Sequence, residues 1–338
     1  MSGDDSEFEL IRRYFGEPAG RVAANAGLRL GIGDDAAVLA VRPGHELVVT
    51  VDTLAEGTHF FPDHPAASVG HKALASNLSD LAAMGADPLA AVLSLTLPQA
   101  DHGWLTGFSH GFLEQAGALG VPLVGGDTSR GPLVIGVTVL GEVSAGQALR
   151  RDGARPGDRV VVSGALGGAA FGLAHETRRR TRGEAAVNGG DPACSRLFWP
   201  QARLALGRAL RSRARAVIDI SDGLLADLGH VCAASSCGAR IDWPEVPLDP
   251  LLADLSGPEA RDFALAGGED YELLFALPPD VPLDLLAFSV DVPLTVIGEF
   301  TASDAIEVVD ANGARQDVTR AGHDHFGHPG SPADREGD

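Results

Sequence analysis

Lysine is almost missing from this chain: of its 26 basic residues, only Lys72 is one. It stands in "GHKALAS" and not before Ser or Thr in a glycine-rich loop, which excludes a Walker A phosphate loop. Positive charge is scarce altogether. The 46 acidic side chains leave a formal net charge of -20, which argues against a nucleic-acid partner and against an anionic membrane surface. Cysteine is limited to Cys194, Cys232 and Cys237. No Cys-x-x-Cys pair or zinc-type histidine spacing occurs, so the three read as reduced thiols. The opening "MSGDDSEFEL" has neither a basic stretch nor an apolar one, and no apolar run reaches membrane-spanning length. The expectation is a cytoplasmic protein.

What is present suits a packed α/β-mixed chain. Apolar residues make up 45% of the 338, enough for a sizeable core, and the length fits two domains. Helical spacing over 7–15, a β-branched run at 45–54 and a small-residue helix at 66–86 open the chain. Strand, helix and two strands follow to residue 143. The break "SAGQALRRDGARPGD" places a boundary near residue 148, dividing 1–147 from 148–326. The second part opens with strand, glycine-rich turn and helix. Residues 176–199 read as a charged, irregular insertion, and 327–338 as a disordered tail.

Aspartates recur where apolar strands meet small-residue turns, in "GIGDDAAV", "VVTVDTLAEGTHF", "LVGGDTSRG" and "AVIDISDGLLADL". Singly, each has a plain reading: Asp34, Asp35 or Asp127 as a turn residue, Ser221 or Asp222 as a helix N-cap, Asp80 as a solvated helix face. Asp219 resists this, because a carboxylate flanked by Val217, Ile218 and Ile220 needs a cation or a proton if it is buried. Asp52 poses the same problem. Lys72, Ser76 and Asp80, spaced four apart, share one helix face, with Asn77 beside it. So many hard oxygen donors in a chain nearly without lysine point to Mg²⁺ holding phosphate groups. "GIGDDA" also fits the dinucleotide fingerprint, but it leads into a strand and would set two carboxylates against a pyrophosphate.

Six segments in order, "GIGDDAAV", "VDTLAEGTHF", "KALASNLSDLAAMGA", "GGDTSRG", "IDISDGLLADL" and "GGEDYELLF", resemble the thiamine-monophosphate kinase family of the aminoimidazole-ribonucleotide-synthetase-like superfamily. The resemblance implies an α+β fold of two domains, the first forming a homodimer, with ATP in the cleft between domains and thiamine phosphate as acceptor. It implies several Mg²⁺ ions held by Asp34, Thr50, the carbonyl of Val51, Asp52, Asp80, Asp127, Asp219 and Asp222. Ser109, Gly126, Asp127, Arg151 and Ser221 match nucleotide contacts; His59 and Glu269 match acceptor contacts. Asp35 belongs to the motif as a supporting residue. The segment "AGHDHF" departs from the family, placing His323 where an aromatic ring usually holds the thiamine. The implied reaction is direct in-line transfer with no covalent or general-base residue.

Rival readings are weaker. Selenophosphate synthetase needs an early Cys–Lys pair, and the hydrogenase-maturation relative needs a C-terminal cysteine; both are missing. Aminoimidazole-ribonucleotide synthetase fits "VDTLAEGTHF" and "GGEDYELLF" less well, and a non-catalytic regulator would not need the full acid set.

Overall fold

The computed structural model describes residues 7–16, 19, 27–288 and 290–316. Helix α1 (Glu7–Leu10) runs into a π-helical turn over Ile11–Gly16. Strands β1 (Leu28–Leu30) and β2 (Val38–Leu39) form a small antiparallel pair around the Asp34–Asp35 bend. Then come β3 (His45–Ala55), α2 (Ala66–Ala83), β4 (Asp87–Leu97), α3 (His102–Leu119), β5 (Leu123–Arg130) and β6 (Val134–Ser144). They build a four-stranded sheet in the order β3-β6-β4-β5, antiparallel except for the β4–β5 pair.

Period-two alternation along β3 turns Val48, Thr50, Asp52 and Leu54 toward the helices, and Leu47, Val49 and Val51 outward. Helix α2 lies on the inner face and packs closely on α3. A Cβ on Gly70 would sit 2.1 Å from the Phe108 carbonyl oxygen, and one on Gly111 would sit 1.9 Å from that of Ala67. The two helices therefore touch backbone to backbone.

The second half contains β7 (Arg159–Ser163), α4 (Gly168–Thr181), α5 (Ser195–Phe198), α6 (Leu204–Leu210), β8 (Ala216–Asp219) and α7 (Leu224–Ser235). After these come β9 (Gly238–Asp242), α8 (Gly257–Ala266), β10 (Leu273–Leu277), α9 (Leu283–Ala287), β11 (Leu294–Thr301) and β12 (Ile306–Val309). The sheet order is β12-β9-β11-β7-β10-β8, with only β12–β9 parallel. The apolar run "LLFAL" has no alternation because both faces of β10 are covered. Leu273, Phe275 and Leu277 join the core of the first half, with Val161 and Val217. Leu274 and Ala276 join a second core with Ile218, Leu224 and Leu265. The architecture is α+β, as the sequence led one to expect.

Three expectations need correction. Residues 176–199 are irregular only over 182–191: α4 continues to Thr181, a 3₁₀ turn spans Pro192–Cys194, and α5 follows. Glu176, Cys194, Leu197 and Phe198 are buried there, so packing overrides the charged composition. Nor do the Ser221 and Asp222 side chains cap α7. Gly223 occupies the N-cap, and Asp227, inside the first turn, accepts the N–H groups of Ser221, Asp222 and Gly223 at 3.0, 3.1 and 3.2 Å. Asp127 lies within β5 and not in a turn. His323 and the 327–338 tail lie outside the described residues.

Candidate active site

A cleft of about 550 Å³ opens between the two halves. At one end β3 supplies Asp52, α2 supplies Ser76 and Asp80, and the end of β8 supplies Asp219. The strand–helix turn after β8 adds Ser221 and Asp222. Each acid is fixed from behind. Ser79 donates its hydroxyl to Asp219 at 2.7 Å, and Thr50 donates its own to Asp80. The Asp52 amide donates to Asn77 Oδ1 at 3.1 Å, and Asn77 is locked in turn by the Ala73 carbonyl at 3.1 Å. Val51 lines the same end, but its side chain is on the outer face of the strand, which leaves its backbone as the only group it can offer.

Burial, followed by the negative charge of Asp219, pushes the Asp80 pKa up. Burial likewise raises Asp219, only 7% exposed, and Asp52. The positive charge of Arg151, an exposed residue, works in the opposite direction on Asp80. Ser76 is buried beside Asp52, and a hydrogen bond between the two side chains works against burial at the Asp52 carboxyl. Crowded carboxylates that resist ionisation form a site that a divalent cation would relieve.

The segment "EDYE" forms the opposite wall. Glu269 and Tyr271 both have left-handed backbones, with φ of 69° and 51°, a conformation costing such residues about 1–3 kcal/mol each. Their amides hold them there by donating to the carbonyls of Ser221 and Ile220, each at 2.8 Å. The result is a division of labour along four consecutive residues. Glu269 and Tyr271 line the cleft. Asp270 turns away to accept the Gly167 amide at 2.7 Å below α4. Glu272, fully buried, accepts from Ser163 Oγ at 2.6 Å, Arg196 Nη2 at 2.7 Å and Arg203 Nε at 2.6 Å. Burial pushes Asp270 up to about 7, while the arginines hold Glu272 below the usual carboxylate range despite its burial.

Lys72, the lone lysine, is buried and binds the Glu269 carboxylate and, at 3.2 Å, the His59 carbonyl. His59 lines the cleft, its Nδ1 accepting the Ala55 amide at 3.0 Å. Sequence reasoning placed Lys72 on the same face as Ser76 and Asp80 but gave it no role. Asp227 and Tyr271 also escaped notice. The three backbone bonds to Asp227 set the Asp222 turn, and its own pKa is raised to about 7 by burial and then by the charge of Asp222.

Other expected residues lie apart. Asp34, Asp35, Gly126 and Asp127 line a second cavity of about 810 Å³ with Phe15 and Ser94. Asp34 Oδ1 accepts the Asp35 amide at 2.8 Å, so it is Asp34 that braces its own turn. Ser109 sits in neither cavity; it is buried on α3 and donates to the Thr106 carbonyl at 3.3 Å.

The family model for the AIR synthase related protein N-terminal domain matches residues 33–143, and that for the C-terminal domain matches 155–311. Thiamine-monophosphate kinase of Escherichia coli (strain K12) is 42% identical over 326 residues, spanning 96% of this chain and 99% of that protein. The crystal structure of thiamine-monophosphate kinase from Stenotrophomonas maltophilia K279a aligns with a TM-score of 0.81 at 44% identity, covering 92% of this chain and 98% of that one. AaThiL complexed with AMPPCP and TMP aligns at 0.73 with 29% identity, over 95% and 97% of the two chains.

Proposed function

The chain belongs to the thiamine-monophosphate kinase family and uses ATP to convert thiamine phosphate to thiamine diphosphate; from that premise we propose how its cleft performs the transfer. The observation that carries the proposal is the convergence of Asp52, Asp80 and Asp219 from both halves beside the Ser76 hydroxyl. Hard carboxylate and hydroxyl oxygens with no thiolate suit Mg²⁺. Thr50, Asp52, Asp80, Asp219 and Asp222, with the Val51 carbonyl, would hold such ions in the cleft, and Asp34 and Asp127 would hold others from the second cavity. Bound there, Mg²⁺ would supply positive charge that offsets the phosphates of donor and acceptor.

The chain's own residues do the rest. Ser221 in the cleft and Gly126 and Asp127 in the second cavity would contact the nucleotide, and Arg151, whose charge reaches Asp80, would add positive charge where two polyanions meet. His59 and Glu269 receive the thiamine moiety, and Lys72 fixes the Glu269 carboxylate in place. A terminal oxygen of thiamine phosphate attacks the γ-phosphorus in line as the bond to the β,γ-bridging oxygen breaks, giving thiamine diphosphate and ADP. With a second phosphate pKa of about 6, that oxygen is ionised at neutral pH, so no general base is required. No enzyme-bound phosphoryl group forms. Coupled ADP-release assays with Mg²⁺ test this: thiamine phosphate is expected to stimulate ATP turnover strongly, and a rate indifferent to it would overturn the reading.

The proposal extends to assembly and location. Leu47, Val49 and Val51, 49%, 56% and 64% exposed, form an aliphatic row on the edge strand β3. We assign this row, within the 1–147 part, to contact with a second copy of the chain, since an exposed apolar edge otherwise invites aggregation. Leu47→Lys with Val49→Lys is expected to halve the mass seen in sedimentation; an unchanged mass would exclude this surface. Among the described residues no helix is long and apolar enough to cross a membrane, and a cytoplasmic location fits the chemistry.

A further inference from the structure

Residues 176–199 take no part in the acid cluster, yet the segment begins with a carboxylate that has no solvent exposure, Glu176. It packs directly against the loop after β3. His64 Nε2 donates to its Oε2 at 2.7 Å, and Arg180 Nη2 donates to its Oε1 at 2.5 Å. Burial alone would raise the Glu176 pKa, but these two partners outweigh burial and hold it below the usual range. Both bonds are therefore made to a charged acceptor and are stronger for it.

The two partners converge on one ring. The Arg180 guanidinium carbon lies 4.1 Å from the centroid of Phe61, covering one face. His64 stands edge-on to the same ring at 5.4 Å, and edge-on to Phe198 at 4.9 Å. Arg180 is tethered further by Asp63. Phe61 and His64 line the cleft together with Ala170 and Leu173 of α4 and Leu197 of α5. The cleft thus has an acidic end suited to phosphates and an apolar, aromatic end suited to a flat organic group.

We propose that Glu176 is a positioning residue for the acceptor: by fixing His64 and Arg180 it holds Phe61 as a wall of the compartment that takes the rings of thiamine phosphate. The inference rests on the acceptor placement given above. A wall that grips the rings equally in ground and transition state affects KM and not kcat.

Steady-state kinetics with thiamine phosphate and ATP varied separately test it. Glu176→Gln is expected to raise KM for thiamine phosphate about tenfold, while KM for ATP and kcat stay within about twofold. Phe61→Ala should raise the same KM, and the double variant should be no worse than Phe61→Ala alone, because both act through one ring. If Glu176→Gln does not accumulate as folded protein, Arg180→Gln, at the solvent side of the network, carries the same expectation, and Arg180→Lys should restore part of the loss. Equal rises in both KM values, a fall in kcat alone, unchanged kinetics, or additive effects in the double variant would each overturn the proposal. Wild-type protein indifferent to thiamine phosphate would instead strike the functional reading itself.

Discussion

Asp219→Asn should abolish turnover and at the same time raise the melting temperature of the metal-free protein. Asp219 is enclosed at the end of β8, within the field of Asp52 and Asp80, and burial holds its pKa up. A carboxyl group whose folded pKa exceeds its unfolded value of ~3.9 favours folding at low pH. That contribution is lost as pH rises through the folded value. At neutral pH the ionised cluster therefore works against the fold, and a neutral amide relieves it. The gain in melting temperature should grow from acid toward neutral pH and shrink when Mg²⁺ is added to the wild type. Catalysis should fall by about 10³-fold or more, the scale seen when a preorganised charge-stabilising group is removed. Asp80→Asn should behave in the same way. Wild-type-like turnover in either variant would remove the multi-metal reading, and a large drop in melting temperature would show that the acids serve the fold instead.

Glu272→Ala has the largest expected effect on stability. It leaves Arg196 and Arg203, whose side chains are only 24% and 15% exposed, facing each other with no common acceptor, and it frees Ser163 as well. Removing one partner of a buried ion pair costs about 3–5 kcal/mol, measurable by urea denaturation. A loss below about 1 kcal/mol would show that the arginines find other partners or water. The damage should reach the cleft, because Glu272 anchors the segment that presents Tyr271 and Glu269. Residual folded protein is expected to bind acceptor poorly even where ATP binding survives.

Some of this was legible in the residues and some was not. Asp219 stood out because a charge inside "AVIDIS" contradicts the strand around it. Lys72, Ser76 and Asp80 could be put on one face because helical spacing is regular. The β10 run was recognisable as apolar, although only the structure shows that two cores share it. What stayed hidden depends on long-range partners or unusual backbone. The bond from His64 to Glu176 spans 112 residues, so the charged 176–181 stretch looked solvated when one of its acids was buried. Left-handed backbone at Glu269 and Tyr271 has no signature, since only glycine and asparagine advertise it. Asp34 and Asp35 could be read as turn residues, but nothing in the residues told that the bend there brings both to the lining of a second cavity.

The backbone-to-backbone contact of α2 with α3 limits how this enzyme can change. Lys72, Ser76 and Asp80 ride on a helix whose spacing from its neighbour is set by main-chain atoms at Gly70 and Gly111, with no side chain left to trim or enlarge. Drift in that bank of the cleft would need several coordinated substitutions. The facing bank is built from side chains at Phe61, Leu173 and Leu197, each replaceable one at a time. New acceptor selectivity, whether by natural divergence or by design, is therefore expected to arise from that side, and libraries aimed at thiamine analogues should diversify those three positions while leaving α2 untouched.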